Sequence, residues 1–190
     1  MSILREDLAR TYNLAAGGRL GRLLECFRQP GTHAVVVLRF GQWLLRQHLI
    51  VRLFLELIYI YFDHRLRAKW GIQILRRARI GPGLYIGHYG GIFVTDGTVI
   101  GRQCSISQDV TIGIAGEGPR RGCPVIGDNV YIAPGAKVNG KIRIGNNVRI
   151  GPNAVVTKDI PDNALVHARP VQVVVFSSRY GAEPEEPPAE

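Results

Sequence analysis

Across residues 126–157 every sixth residue is a β-branched aliphatic: Ile126, Ile132, Val138, Ile144, Ile150 and Val156. The residues four places further on, Val130, Ala136, Ile142, Val148, Ala154 and Ile160, are apolar as well. An amphipathic helix buries every third or fourth residue and a half-buried strand every second one, so neither produces this pattern. A period of six is that of a parallel β-helix, in which a short strand turns a corner every six residues and successive coils stack. Ile and Val suit such pleated, half-buried strands, and stacking them about 4.8 Å apart fills the coil axis with one apolar column. Gly127, Gly145 and Gly151 follow inward Ile residues, and Asp128-Asn129 and Asn146-Asn147 fall where corners are needed. Those residue types accept turn dihedrals that bulkier side chains resist.

The repeat begins well upstream. Ile80, Ile86 and Ile92 are six apart, and so are Val94, Ile100, Ile106 and Ile112. The two runs differ in phase by two residues, which predicts an extra pair near residues 91–96. Fourteen residues separate Ile112 from Ile126, one repeat plus eight. The excess, in Ala115-Gly-Glu-Gly-Pro-Arg-Arg-Gly-Cys123, has to leave the coil as a loop over 113–125. A repeat array that tolerates an insertion at one place commonly uses it for function. Pro161-Asp-Asn163 ends the repeats, and residues 165–176 read as a short closing strand. The polar, acidic, Pro-rich residues 177–190 read as a disordered tail.

Before Gly71 the texture is helical. Leu4, Leu8 and Tyr12, then Leu20, Leu23, Leu24 and Phe27, predict helix over 2–28 with a break at Gly17-Gly18. Pro30-Gly31 reads as a turn, and residues 33–69 as a long helical stretch with a joint near 47–50. Its apolar residues, among them Val36, Trp43, Leu53 and Leu57, exceed one buried stripe, which predicts packing in an oligomer. The competing use is a basic amphipathic face making peripheral contact with a membrane. The expected organisation is α+β in sequence order: a helical domain over 1–70, a parallel β-helix over 71–176, and the tail.

Placement of charge matters more than its total. Residues 1–79 hold 14 Lys/Arg against 5 Asp/Glu, whereas residues 80–190 hold 10 against 10. A solvated helical surface explains the excess, and an acidic partner or membrane surface is the alternative. Cys26, Cys104 and Cys123 are odd in number and without metal spacing, which suits a reducing cytoplasm. Residues 1–10 are too charged for a secretory signal, and Arg39, Arg46, Arg52, Glu56 and Asp63 interrupt any membrane span. Interleaved aromatic platforms for single-stranded nucleic acid are not seen, so no nucleic-acid partner is expected.

Only His88 and His167 lie in the repeat region. In Ile86-Gly87-His88-Tyr89-Gly90-Gly91 the histidine falls near a corner, among glycines that admit a ligand close to the backbone. Imidazole, with an ordinary pKa of about 6.5, suits proton abstraction at neutral pH, although a surface histidine without a role occupies such a corner equally well. The repeat region lacks a third histidine for a zinc site, and no metal is expected. Nor is there a phosphate loop, a dinucleotide fingerprint or a nucleophile elbow.

The run Arg79-Ile-Gly-Pro-Gly-Leu-Tyr-Ile-Gly-His-Tyr-Gly-Gly91, with Ser107-Gln-Asp-Val-Thr-Ile-Gly113 and the hexapeptides ending in Val155-Val-Thr-Lys-Asp-Ile-Pro161, resembles the bacterial serine acetyltransferases and their hexapeptide-repeat acyltransferase relatives. The likeness covers residues 70–175 and extends more weakly to Arg39-Phe-Gly-Gln-Trp-Leu44. It implies a left-handed parallel β-helix assembling as homotrimers, with some members pairing trimers through their helical domains. The implied co-substrate is acetyl-CoA, held in a groove, and the acceptor a small hydroxyl compound. His88 falls on the family's catalytic histidine, the general base toward the acceptor hydroxyl. Coenzyme-contact positions implied by the likeness are Gly113, Ala115, Gly116, Ala133, Pro134, Gly151 and Pro152. Lys137, Arg149 and Lys158 are nearby cations suited to phosphates.

Departures from the family pattern concern the acceptor. Gly87 stands where an Asp precedes the family's catalytic histidine, and Gln73 where an upstream acidic residue stands. Cys123 stands where a second histidine precedes Pro124. Weakened grip on an amino acid's charged ends raises a sugar hydroxyl as alternative acceptor, as in surface-polysaccharide O-acetylation. Arg120 and Arg121 offer a carboxylate partner that keeps serine open. A non-catalytic scaffold or regulatory subunit is the remaining reading.

Overall fold

A computed structural model describes residues 2–168. Helix α1 (Ile3–Leu14) starts at Ser2, whose hydroxyl accepts from the Arg5 N–H, and α2 (Arg19–Arg28) follows the Gly17-Gly18 break. Next come α3 (Pro30–Leu44) and α4 (Leu49–Trp70), which pair with His33 against Trp70 and Gly41 against Tyr59. Pro30 therefore opens a helix instead of a turn. Its fixed φ suits the first helical position, where its missing N–H has no partner to lose. Gly31 is needed for a tertiary reason, since a Cβ there would run into the Ile86 carbonyl oxygen. Gly71 caps α4 at φ 60°, in the left-handed region.

Fourteen short strands follow among the described residues: β1 (Ile72–Ile74), β2 (Arg79–Ile80), β3 (Tyr85–Ile86), β4 (Ile92–Val94), β5 (Val99–Ile100), β6 (Ser105–Ile106) and β7 (Thr111–Gly113). Beyond the inserted loop lie β8 (Val125–Ile126), β9 (Tyr131–Ile132), β10 (Lys137–Asn139), β11 (Arg143–Ile144), β12 (Arg149–Ile150), β13 (Val155–Val156) and β14 (Leu165–Val166). They stack in parallel as three faces, β1-β4-β7-β10-β13, β2-β5-β8-β11 and β3-β6-β9-β12-β14. We call these the first, second and third faces. The result is a left-handed parallel β-helix behind four helices. Ile126, Ile132, Val138, Ile144, Ile150 and Val156 are each at most 3% exposed, so the period-six column is the coil axis. Full burial of one such side chain contributes roughly 1.5–3 kcal/mol.

Corners between the second and third faces carry an asparagine ladder. Asn129, Asn147 and Asn163 all adopt positive φ, and their amides join across the coils at 2.9 and 3.0 Å. The two-residue phase shift lies earlier than the spacing suggests. Ile86 pairs with Ile106, a step of 20, whereas Phe93 pairs with Thr111, a step of 18. Both Ile92 and Val94 stay buried inside β4, so the surplus sits in the 87–91 corner. Hydrophobic spacing alone could not say on which side of that strand the slack falls. The expected closing strand is represented by β14, and the rest of it, with the 177–190 tail, lies outside the described residues.

A solenoid leaves the backbone of its first coil without a neighbour below, an edge that has to be covered. Here the helices cover it. Arg39 pairs with Asp7 at 2.8 Å and donates to the Ile80 and Gly81 carbonyls, each at 2.7 Å. Asp7 in turn accepts from the Leu84 N–H at 2.8 Å. Gln42 donates to the Ala78 carbonyl, and Arg10 to those of Gly83 and Cys104. Burial holds the Arg10 guanidinium below its ordinary pKa. Asp7 and Arg39 are 1% and 7% exposed, so truncating one leaves a buried charge unpaired. Arg39→Ala is expected to cost about 3–5 kcal/mol in urea unfolding followed by circular dichroism. Arg39→Lys should not recover it, since one ammonium cannot span the same three acceptors.

Candidate active site

His88 emerges from the widened corner between the third and first faces. Gly87 N–H donates to the Ile106 carbonyl at 3.3 Å and Asp109 N–H to the Gly90 carbonyl at 2.7 Å, so the corner is tied at both ends to the coil above. Its two surplus residues bulge outward, leaving His88 and Tyr89 exposed. Further up the same edge, Gly135 N–H donates to the Gln108 carbonyl and Asn153 N–H to the Pro134 carbonyl. Gly90, Gln108, Pro134 and Pro152 are therefore successive rungs of one ridge, each about 4.8 Å above the last, with His88 in the bulge at its foot. Ala133 and Gly151 stand one residue inside it. Sequence reasoning passed over Gln108, whose Oε1 is buried without a hydrogen-bond partner among the described residues. Counting one coil of 18 residues on from Gly90, at the end of the histidine corner, would have found it.

Gly87 has a local cause. A Cβ there would lie 3.1 Å from the Tyr85 ring, so an acidic side chain at this position would have to displace the phenol. Gln29, at the start of α3, reaches down to the Tyr85 hydroxyl at 3.4 Å and the Gly87 carbonyl at 3.3 Å. Tyr85 and Gln29 are thus the polar groups beside the histidine corner. Spacing could not reveal them, because Gln29 arrives from the helical part. Gln73 is half-buried on β1, paired with Phe93, and Gly71 just before it touches Gly90 and Gly91. Gln73 and His88 accordingly share the first coil.

The loop after β7 lies on a different edge, between the first and second faces. Gly113 ends β7, and Ala115 and Gly122 exchange both backbone hydrogen bonds, at 3.2 and 3.1 Å, closing a small hairpin. Gly116 has φ 90°, and a single 3-10 turn over Gly118–Arg120 carries the exposed Arg120 and Arg121. Lys141 Nζ braces the tip through the Pro119 carbonyl at 3.3 Å. Cys123 turns back to donate to the Asp96 carbonyl at 3.2 Å. Lys158 follows β13 on this same edge, while Arg149 sits on the third face with a bond to the Asn129 carbonyl at 2.9 Å. Lys137 donates to the Asp109 carbonyl at 2.6 Å.

One protomer therefore divides the sequence-predicted site residues. His88, Gln73, Gly87, Ala133, Pro134, Gly151 and Pro152 border one edge of the first face. Gly113, Ala115, Gly116, Arg120, Arg121, Cys123 and Lys158 border the other. Among the described residues no three His, Cys, Asp or Glu side chains converge as a metal site.

A prism of stacked hexapeptides with a histidine ridge defines a hexapeptide-repeat transferase, and the family model described as "Bacterial transferase hexapeptide (six repeats)" matches residues 123–158. The chain belongs to the serine acetyltransferase family. It is 36% identical over 178 residues to a serine acetyltransferase of Mycobacterium tuberculosis, covering 92% of this chain and 73% of that one. A Synechococcus elongatus serine acetyltransferase is 36% identical over 155 residues, covering 82% and 60%. The crystal structure of the Neisseria gonorrhoeae serine acetyltransferase matches with a TM-score of 0.70 at 31% identity, over 93% of this chain and 65% of that one. Isoform 3 of the Entamoeba histolytica enzyme, solved with cysteine, matches with a TM-score of 0.71 at 28% identity, over 93% and 60%. The chain thus spans 60% of the length of its Synechococcus relative.

Burial pushes the Cys123 thiol above its ordinary pKa, and the Asp96 carboxylate adds to the shift. Less of it is thiolate at neutral pH. Alkylation of Cys123 by iodoacetamide, followed by mass spectrometry, should be a few-fold slower at pH 7 than that of a free thiol. The rate should keep rising beyond the pH at which a free thiol levels off.

Proposed function

We propose that the protein is an acetyl-CoA-dependent O-acetyltransferase with His88 as general base. The observation that carries this reading is the exposed histidine in a widened corner, at the foot of a ridge whose upper rungs are Pro134 and Pro152. His88 takes the proton from an acceptor hydroxyl, whose oxygen attacks the thioester carbonyl. The imidazolium then returns the proton to the departing thiol. Backbone N–H groups around Gly113 and Gly116 are donors suited to the coenzyme amides or to charge building on the carbonyl oxygen. Arg149 and Lys158 are the exposed cations for its phosphates. Because the two residue sets border opposite edges of the first face, the working unit is a homotrimer in which each site lies between protomers. Three unpaired cysteines suit the reducing cytoplasm as its compartment.

Relatives named serine acetyltransferases, one of them solved with serine, support L-serine as the acceptor. A second reading, a sugar hydroxyl, is favoured by Gly87, Gln73 and Cys123, none of which offers a charge to an amino acid's ends. Arg120 and Arg121 keep a carboxylate within the first reading.

Release of free thiol from acetyl-CoA, measured with L-serine and with a panel of sugars, separates the two. With the true acceptor, His88→Ala is expected to lose about 10²–10⁴-fold in rate. Wild-type turnover by that variant would remove the general-base assignment. Failure to bind acetyl-CoA in calorimetry would instead leave a non-catalytic scaffold.

A further inference from the structure

Most of the apolar surface of this chain is in one place. Of the 24 large apolar residues exposed among the described ones, 18 belong to the helical part. On α2, Leu20, Leu23, Leu24 and Phe27 follow helical spacing on one face and are 70, 48, 54 and 74% exposed. On α4 only Tyr59, Asp63 and Leu66 are buried, so the helix touches the rest of the fold along one narrow stripe. Its far side carries Leu53, Phe54 and Leu57, at 65, 77 and 73% exposed. That side runs on to Tyr61 and Phe62, which with Phe27 line a groove of about 1120 Å³ between the helices. A surface of this extent marks an interaction site.

The charge around it decides what covers it. Of the five carboxylates in residues 1–79, four are engaged inside the fold: Asp7 with Arg39, Glu56 with Arg76, Asp63 with Arg67, and Glu6 with Arg102. The cations are more numerous at this surface. Arg19, Arg22 and Arg28 punctuate α2, and Arg5, Arg65 and Lys69 border the groove. A second copy would set this positive rim against its own like, whereas an anionic bilayer meets it with opposite charge. No helix among the described residues is long and apolar enough to cross a membrane, so contact has to be in the plane of the interface. We propose that the helical domain docks on an anionic phospholipid surface, with the apolar face of α2 and the outer stripe of α4 entering the headgroup boundary and the arginines on the phosphates. The docking stands apart from the acetyl-transfer reading, since none of these residues belongs to the ridge or the loop.

The test is co-sedimentation of the full chain with vesicles of phosphatidylcholine alone or with a third of phosphatidylglycerol. Binding should be at least about tenfold tighter to the anionic vesicles and weaken as salt rises. Leu24→Glu/Phe27→Glu should abolish it, and Arg19→Glu/Arg28→Glu should weaken it, with thermal melts by circular dichroism matching the parent. No binding to anionic vesicles, or binding unchanged in both variants, overturns the proposal. So does light scattering that finds a pair of trimers falling to single trimers on Phe54→Glu, because a second copy would then own the face.

Discussion

Stacking of like aliphatic side chains along the axis of the coil is the constraint from which the rest of this fold follows. An inward Ile or Val every six residues leaves one strand of two or three residues per side, and forces a corner between sides. The corners are where the chain has freedom. There it places asparagines that bond upward, glycines that tuck under the next coil, and, once, two surplus residues that throw a histidine outward. The axis is uniform and the corners are individual, which is how one repetitive core carries a site without being disturbed by it.

Stacking also creates a problem that it cannot solve. Each coil hydrogen-bonds to the next, so the first has no partner beneath it. The helical part answers with side chains in place of a strand: Arg39, Arg10, Gln42 and Gln29 all donate to backbone carbonyls of the first coil. A buried ion pair gains its worth here from geometry, since Arg39 is held by Asp7 while its remaining donors reach two carbonyls. The same end cap brings Gln29 to the Tyr85 hydroxyl and the Gly87 carbonyl. The helices thus form one wall of the histidine corner as well as a lid on the coil.

The distribution of chemistry around the prism gives the candidate site its character. His88 stands at the foot of one edge, with His167 near its far end beside Gly151, and a braced, arginine-tipped hairpin on another. Neither edge contains a complete set of groups for acyl transfer. Tyr85 occupies the space beside Gly87, and a thiol held above its ordinary pKa stands at position 123.

Much of this was legible without a structure. Period six named the axis residues one by one, the fourteen-residue gap located the loop, and Asn marked the corners, because each of these depends on contacts repeated at a fixed interval along the chain. The helix boundaries followed from local signals, except that Pro30-Gly31 serves as a helix start, its glycine chosen by a carbonyl of β3. What lay beyond reach was everything set by elements distant in sequence. The side of β4 on which two surplus residues fall, the capping of the first coil by Arg39 and Asp7, the pairing of Tyr85 with Gln29, and the assignment of site residues to two separate edges were decided only in three dimensions. A repeat writes its own contacts into the sequence at constant spacing, whereas a helix laid across its end meets the coil at separations of up to 96 residues, and no periodicity records them.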